Sequence, residues 1–207
     1  MDRSQKFWDQ TAAKYAKSPI SNQLVYEQKL EKTRAYLSPD AQVLELGCGT
    51  GSTAILHAPF VKSYHAVDFA SGMIEIAEKK AAEEGLSNLT FECADTERYS
   101  PPAERYDAVL ALNVFHLLKD RPATLARIHA MLKPGGVLIT STACLGGIWW
   151  AFWPLIKLGQ IIGRVPHVKY LSAQRFTGEI EAAGFDMLDR WRPEKSVGIF
   201  TVSRKLT

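Results

Sequence analysis

The segment VLELGCGTGS (43–52) contains the first residues whose types and spacing could do chemistry. An apolar run ends directly in Gly47, Gly49 and Gly51, spaced GxGxG, before a stretch with helical character. Glycines at such a place let the backbone approach a ligand closely and adopt positive φ in a tight turn. The pattern therefore indicates a ligand-binding loop at the end of a strand, although many folds share a glycine-rich strand end.

Two aspartates sit at corresponding positions farther along the chain. Asp68 ends the next predicted strand, 17 residues after Gly51, and Asp95 ends the one after that. A carboxylate at a neighbouring strand end can accept hydrogen bonds from both hydroxyls of a ribose. Ligands of open parallel sheets bind outside the carboxyl ends of the strands, so we expect the glycines and both aspartates to meet at one crevice.

Short strand-like runs alternate with helical stretches through most of the chain. Brief segments rich in branched residues, each bounded by turn formers, predict strands at 42–47, 63–68, 89–95, 106–112 and 136–142. Between the second and third, the apolar residues Met73, Ile74, Ala77 and Ala81 recur at helical spacing before a stop at Gly85. This alternation predicts an α/β fold with a mostly parallel sheet covered by helices on both faces.

The end of the chain has a different pattern. Ser172 is placed to cap a helix that ends at Gly184. Two strands, 185–191 and 197–205, follow with a short loop containing proline between them. They predict an antiparallel hairpin at one edge of the sheet.

Composition and charge limit the kind of protein. The 207 residues are 46% hydrophobic and 23% charged, which suits one globular domain. The three cysteines form no CxxC pair, which argues against a disulfide framework and a structural zinc site, and no metal is expected. The first residues are charged and lack an apolar signal region, so we expect a cytoplasmic protein.

Charge is distributed unevenly. The net charge is only +3, yet no acidic residue lies between Asp120 and Glu179, a span that contains seven lysines and arginines. Such a span favours a positive face that attracts an anionic substrate or lipid surface, and a chance bias among solvated side chains is an equal alternative.

Five segments together resemble the class I S-adenosylmethionine-dependent methyltransferases: VLELGCGTG, VDFASGMIEIA, CAD, YDAVLALNVFHLL and LKPGGVLI, in this order. Within that superfamily the chain resembles the small-molecule branch that includes the ubiquinone and menaquinone biosynthesis enzymes. The resemblance covers about 42–142 closely. It implies a Rossmann-like seven-stranded sheet with an antiparallel last strand, and S-adenosyl-L-methionine as the cofactor.

The resemblance also implies roles for individual residues. Glu45, Gly47, Gly49 and the third motif glycine, Gly51, would hold the methionine moiety and form its loop. The remaining cofactor contacts would be Asp68 to the ribose, Met73 against adenine, Asp95 to the adenine amino group, Asn113 near the sulfonium and Tyr15 as an aromatic cover. Plain core packing is an alternative for Met73, and closing of the fold's edge is an alternative for Tyr15.

One domain over 1–207 is expected to have four parts: an N-terminal helical cover (1–40), the cofactor-binding core (41–143), an apolar lid (144–171), and the closing helix and hairpin (172–207).

The lid contains GGIWWAFWPLIKLGQIIG (146–163). Its uncharged run from 143 to 156 has 14 residues, fewer than the ~18 to 20 that span a bilayer. We expect an aromatic loop and a short amphipathic helix that cover a small, lipophilic acceptor. The predicted contacts of that acceptor are Trp149, Trp150, Phe152, Trp153 and Tyr170. Core packing, a homodimer interface and contact with a membrane surface are alternatives for this segment.

Methyl transfer needs alignment and exclusion of water more than it needs a base. For a hydroxyl acceptor, His116 is the first candidate base, with His167 and Tyr170 behind it; a structural role is the alternative for each. O-, N- and C-methylation all stay open. A nucleic-acid acceptor is not expected, because no NPPY-like or Pro-Cys segment is present. Two other functions are weighed: a non-catalytic nucleotide-binding or lipid-surface module, and an NAD-dependent oxidoreductase, which the GxGxGS spacing disfavours.

Overall fold

The computed structural model describes residues 3–144, 159, 168, 170–194 and 196–206 of the chain. The described residues form seven strands: β1 (Gln42–Leu46), β2 (Ser63–Asp68), β3 (Leu89–Cys93), β4 (Tyr106–Leu112), β5 (Leu132–Ala143), β6 (Phe185–Trp191) and β7 (Gly198–Lys205). They form one sheet in the order β3-β2-β1-β4-β5-β7-β6. Neighbours from β3 to β5 are parallel, whereas β7 runs antiparallel to both β5 and β6. The predicted parallel sheet with a closing antiparallel hairpin is confirmed, and β7 lies between β5 and β6.

Six α-helices are described: α1 (Arg3–Ala16), α2 (Gln23–Arg34), α3 (Ser52–His57), α4 (Ser71–Glu83), α5 (Arg121–Met131) and α6 (Ala173–Ala182). The termini of α6 follow the sequence signals. Ser172 Oγ accepts a hydrogen bond from the backbone N–H of Arg175 at 3.2 Å, as an N-cap does. Gly184 has φ 88°, a left-handed conformation that glycine adopts without strain, so the helix ends just before it.

Apolar side chains fill both faces of the sheet. On one face, Phe176 and Ile180 of α6 pack with Ile128 of α5 against the strands. On the other face, Ala54 of α3 and Ile74 of α4 belong to a second buried cluster. The prediction of helices on both faces is therefore confirmed, and the interior strands β1, β4 and β5 are held between two apolar layers.

The start of β5 differs from the prediction. The sequence pattern placed this strand at 136–142, because the preceding Lys-Pro-Gly-Gly reads as a turn. In the structure the strand begins at Leu132, which pairs with Tyr106, and the pairing then jumps to Val137 opposite Ala108. The turn-forming residues are thus absorbed in an irregular part of the ladder, where Gly135 adopts φ 74°.

The predicted positive span is partly neutralised by acids from outside it. Arg121 forms a two-point ion pair with Glu179, with N–O distances of 2.7 and 2.9 Å, and Arg175 reaches the same carboxylate at 3.0 Å. Lys133 pairs with Asp107 at 2.8 Å. Of the four cations of this span that the structure describes, three therefore have an anionic partner, which weakens the argument for a positive face.

Within the described part of the chain, we find no helix with the length and apolar character needed to cross a bilayer.

Candidate functional site

A cavity of about 520 Å³ opens at the carboxyl ends of β1, β2 and β4. The described side of this cavity is formed by α1, the α1–α2 loop, the start of α2, the glycine loop and the segments after β2, β3 and β4. Eight of the nine predicted cofactor residues line it: Tyr15, Glu45, Gly47, Gly49, Asp68, Met73, Asp95 and Asn113. A cavity of this volume is large enough for a ligand of nucleotide size.

The glycine loop is shaped by three left-handed residues. Gly47, Gly49 and Gly51 have φ of 73°, 54° and 71°. A Cβ at Gly47 would collide with Val114, whereas a Cβ at Gly49 would meet nothing within 4 Å, so the space beside Gly49 is open to a ligand. Gly51 is not among the lining residues.

Gly51 has a packing role instead. A Cβ there would lie 2.8 Å from Ala77 Cβ and 2.9 Å from the Phe91 ring, and neither of these residues lines the cavity. Glycine at this position lets the start of α3 approach α4 and β3 closely. The geometry thus accounts for Gly51 without a ligand contact, unlike the predicted role in holding the cofactor.

Asp68 holds the loop from the neighbouring strand. Its Oδ2 accepts a hydrogen bond from Gly49 N–H at 2.8 Å, and its Oδ1 accepts one from Ala70 N–H at 3.0 Å. Burial raises the pKa of this carboxyl, and the backbone hydrogen bonds oppose the rise. Each carboxylate oxygen accepts more than one hydrogen bond, so both retain capacity for a ligand hydroxyl.

Glu45 is the most deeply buried acid of the cavity, with 2% of its surface exposed. The Tyr64 hydroxyl donates a hydrogen bond to Glu45 Oε2 at 2.8 Å. Burial raises the pKa of Glu45 to about 7, because the charged form loses its hydration, while the hydrogen bond from Tyr64 opposes the rise. A carboxyl with this pKa binds a cationic group well once it is ionised.

Aromatic side chains from α1 cover the other side of the cavity. Trp8 and Tyr15 lie two turns apart on one helix face and meet edge to face, with ring centroids 6.0 Å apart. Trp8 also packs on buried Met73, and Asp9 Oδ1 accepts a hydrogen bond from Gly72 N–H at 3.0 Å. Met73 therefore both lines the cavity and packs under α1.

The segment after β3 forms one end of the cavity. Asp95 lies two residues beyond the last residue of the strand, Cys93, and its side chain is 57% exposed. Asp95 Oδ1 accepts a hydrogen bond from Glu97 N–H at 3.0 Å. Glu97 also lines the cavity and accepts backbone N–H groups of Lys119 and Asp120 at 2.9 to 3.0 Å. This arrangement joins the segments that follow β3 and β4.

Asn113 and His116 follow β4 but differ in position. Asn113 lines the cavity with φ 60°, a left-handed conformation that asparagine tolerates better than most residues, and its N–H donates to Ser141 O at 2.6 Å. His116 lies in a 3₁₀ turn (Phe115–Leu117) and is not among the lining residues. Burial lowers the pKa of His116 to about 4. Its position outside the lining and its low pKa both argue against the predicted role as base.

Four of the predicted acceptor contacts fall outside the described part of the chain: Trp149, Trp150, Phe152 and Trp153. The candidate base His167 also lies outside it. Tyr170 is described, with 43% of its surface exposed, and does not line the cavity.

Several lining residues had no signal in the sequence pattern. Tyr26 contributes its ring from α2, with its hydroxyl 3.4 Å from Thr53 Oγ1 on α3. Pro19 and Ile20 belong to the α1–α2 loop. Lys80 of α4 donates to Thr50 O, Thr50 Oγ1 and Ser52 Oγ at 3.0 to 3.2 Å and so fixes the glycine loop from behind. These contacts depend on tertiary packing, which no local motif encodes.

Comparison with known proteins agrees with this geometry. The protein family described as "Methyltransferase domain" matches residues 43–136. A malonyl-[acyl-carrier protein] O-methyltransferase of Priestia megaterium is 36% identical over 109 residues, which are 52% of this chain and 38% of that protein. The aklanonic acid methyltransferase DauC of a Streptomyces species is 31% identical over 77% of this chain and 66% of that protein. The chain thus spans only part of the length of these curated relatives.

Among solved structures, the YcgJ protein of Bacillus subtilis superposes with a TM-score of 0.73 at 16% identity, over 87% of this chain and 99% of that one. At this identity the likeness shows the fold alone. The glycine loop, the acids at the ends of β1 and β2, the strand order and the matched family agree with one another. The chain belongs to the class I S-adenosylmethionine-dependent methyltransferases.

Proposed function

We propose that this protein transfers the methyl group of S-adenosylmethionine to a small, lipophilic acceptor. The observation that carries the proposal is the convergence of Glu45, Asp68 and the open loop position Gly49 on one cavity. Asp68 keeps hydrogen-bonding capacity on both oxygens for ribose hydroxyls, and Glu45 in its ionised form suits the cationic amino group of a methionine moiety. The residues present therefore fit the cofactor that the family uses.

When bound, the cofactor supplies a methyl group that is already electrophilic because it is attached to a sulfonium. The protein then has to orient the acceptor and exclude water. Trp8 and Tyr15 cover one side of the cavity, and Asn113 lies at the carboxyl end of β4. We propose that the acceptor approaches beside Asn113.

The residue types that line the cavity indicate which kind of acceptor atom could be methylated there. Among the lining residues in the described ranges there is neither a histidine nor a lysine. Such a lining suits an acceptor whose nucleophilic atom bears no proton that a histidine or lysine base would have to remove.

Apolar groups near the opening support a lipophilic acceptor. Pro19, Ile20, Leu117 and Leu118 all line the cavity, and Ile20 is 48% exposed. Leu24, at the start of α2, is 66% exposed. Exposed apolar side chains beside a cavity favour contact with an apolar ligand. We propose that the aromatic segment within 144–171 completes this surface as a lid, and that the surface rests on a membrane when it collects the acceptor.

The cofactor proposal is tested by calorimetric binding of S-adenosylmethionine and S-adenosylhomocysteine, with NAD as the comparison ligand. We expect both sulfur compounds to bind and NAD not to bind. Asp68→Ala should abolish binding, because it removes the ribose contact and the support of Gly49. Asp186→Ala, which changes an exposed carboxylate on β6, is the matched control and should bind normally.

The acceptor proposal is tested by incubating the protein with a cellular metabolite and lipid extract and trideuteromethyl-labelled cofactor. Mass spectrometry should find a labelled product in the apolar fraction. Ile20→Asp should raise KM for that acceptor about tenfold with little change in cofactor affinity, on the scale of one buried apolar side chain. Leu56→Asp, at an exposed leucine outside the cavity, is the control. A labelled product found only among polar metabolites would contradict the proposal.

A further inference from the structure

Lys29 of α2 has its ammonium group over the sheet, next to the cavity. Its Nζ donates a hydrogen bond to Ser141 Oγ near the end of β5 at 2.9 Å. Ser141 is buried, and Lys29 is half-buried. Burial lowers the pKa of Lys29, because the ammonium loses part of its hydration.

The neighbours of this pair connect it to the cavity. Ser141 is the partner of Leu112 in the β4–β5 ladder, and Leu112 lines the cavity. The carbonyl of Ser141 accepts the N–H of Asn113, a second lining residue. Tyr26, one turn before Lys29 on α2, also lines the cavity. Lys29 therefore lies one residue layer behind the lining, and its flexible stem has four rotatable bonds with which to move the ammonium.

The charge of Lys29 lacks a partner of opposite sign among the described residues. The next lysine along α2, Lys32, forms an ion pair with Asp189 at 2.8 Å, whereas the described contact of Lys29 is the neutral hydroxyl of Ser141. An ammonium has three N–H donors, and a partly desolvated cation gains most from a carboxylate. Glu45 lies on β1, which β4 separates from the strand of Ser141, and burial raises its pKa to about 7.

We propose that Lys29 and Ser141 form a carboxylate-binding site at the β4–β5 side of the cavity. The site rests on the proposed function, since the carboxylate it receives belongs either to the methionine moiety of the cofactor or to the acceptor. Both sources present the same group, which the ammonium binds through a charge-assisted hydrogen bond while the Ser141 hydroxyl donates a second one.

The two sources are distinguished by binding measurements on Lys29→Met. S-adenosylhomocysteine contains the amino-acid carboxylate, and 5′-methylthioadenosine lacks it. If the cofactor is the source, the variant binds S-adenosylhomocysteine at least tenfold more weakly, and its affinity for 5′-methylthioadenosine is unchanged. If the acceptor is the source, the variant binds S-adenosylhomocysteine normally. We expect the complex of the unaltered protein with S-adenosylhomocysteine to bind decanoate more tightly than methyl decanoate. The same complex of the Lys29→Met variant should lose this preference.

Matched variants separate binding from folding. Lys32→Met removes a lysine one turn away on the same helix and should change neither measurement. Lys29→Arg keeps the cation and should restore most of the affinity. Ser141→Ala keeps Lys29 and should weaken carboxylate binding a few-fold, which provides a second test if Lys29→Met fails to fold. The inference is overturned if the unaltered protein binds S-adenosylhomocysteine and the Lys29→Met and Ser141→Ala proteins show the same affinities and preferences. Absence of S-adenosylhomocysteine binding by the unaltered protein would instead overturn the proposed function.

Discussion

Replacement of Glu45 by glutamine should stabilise the ligand-free protein and weaken cofactor binding. The carboxyl has an ordinary pKa of 4.5 and a folded-state pKa of about 7. Since the folded state holds the proton more tightly, the contribution of Glu45 to stability is greatest below pH 4.5 and falls as pH rises from 4.5 to 7. At ~1.4 kcal/mol per pH unit between these values, the loss above pH 7 is about 3 kcal/mol. Glutamine stays neutral and still accepts the Tyr64 hydroxyl, so it avoids this loss.

Thermal unfolding of the ligand-free protein at pH 5 and pH 8 tests the stability half of this reasoning. For a chain of this length, ~3 kcal/mol corresponds to roughly 6 to 12 °C in Tm. Glu45→Gln should raise Tm by about that amount at pH 8 and by much less at pH 5. Glu31→Gln, at an exposed glutamate of α2, is the control and should leave Tm nearly unchanged at both pH values.

Calorimetry tests the binding half. With a pKa of about 7, the ionised fraction of Glu45 rises from about one tenth at pH 6 to about nine tenths at pH 8, so the affinity for S-adenosylhomocysteine should rise about tenfold. Glu45→Gln should bind more weakly and show a smaller change with pH. The reasoning is refuted if Glu45→Gln lowers Tm at pH 8, or if the pH dependence of binding is the same in both proteins.

Further expectations concern the loop and the helix pair. Lys80→Met should weaken S-adenosylhomocysteine binding about tenfold by calorimetry, because the loop oxygens lose their ammonium partner; exposed Lys79→Met should not. Gly51→Ala should lower the free energy of unfolding, measured in urea, by about 2–4 kcal/mol, because alanine is strained at positive φ and its Cβ would be crowded. Gly178→Ala should raise that free energy by up to ~1 kcal/mol, because Gly178 lies in a helix with open space beside it. Glu179→Gln should cost about 3 kcal/mol at pH 7. Because the two arginines outweigh burial and lower the pKa of Glu179, that cost should shrink as pH falls through 4.5, and equal losses at pH 3 and pH 7 would contradict it.

The sequence predicts the fold well where the elements are local. Strand ends coincide with turn formers, and Ser172 and Gly184 mark the ends of α6 because a cap and a left-handed stop are short-range features. The start of β5 was missed, since Pro134 and Gly135 read as a turn, whereas the partner strand pairs with both flanks of the irregular region.

The candidate site was predicted in part. Asp68 and the glycines were found because strand ends bring them together in any parallel sheet of this kind. The lysine behind the loop, Lys80, and the cavity residue Tyr26 escaped prediction, because helix packing alone decides that they reach the site. His116 was favoured by its place after β4, but the 3₁₀ turn there directs it away from the lining.

The attachment of α1 has a consequence for the kinetics of the site. Asp68 already orders the glycine loop in the ligand-free protein, so little conformational entropy remains to be lost there on binding. The aromatic cover on α1 is instead attached by two side-chain hydrogen bonds, from Gln5 to Phe69 O and from Gly72 N–H to Asp9, and by a small apolar cluster around Met73. We therefore expect that displacement of α1, and not ordering of the loop, limits how fast the cofactor enters and its product leaves.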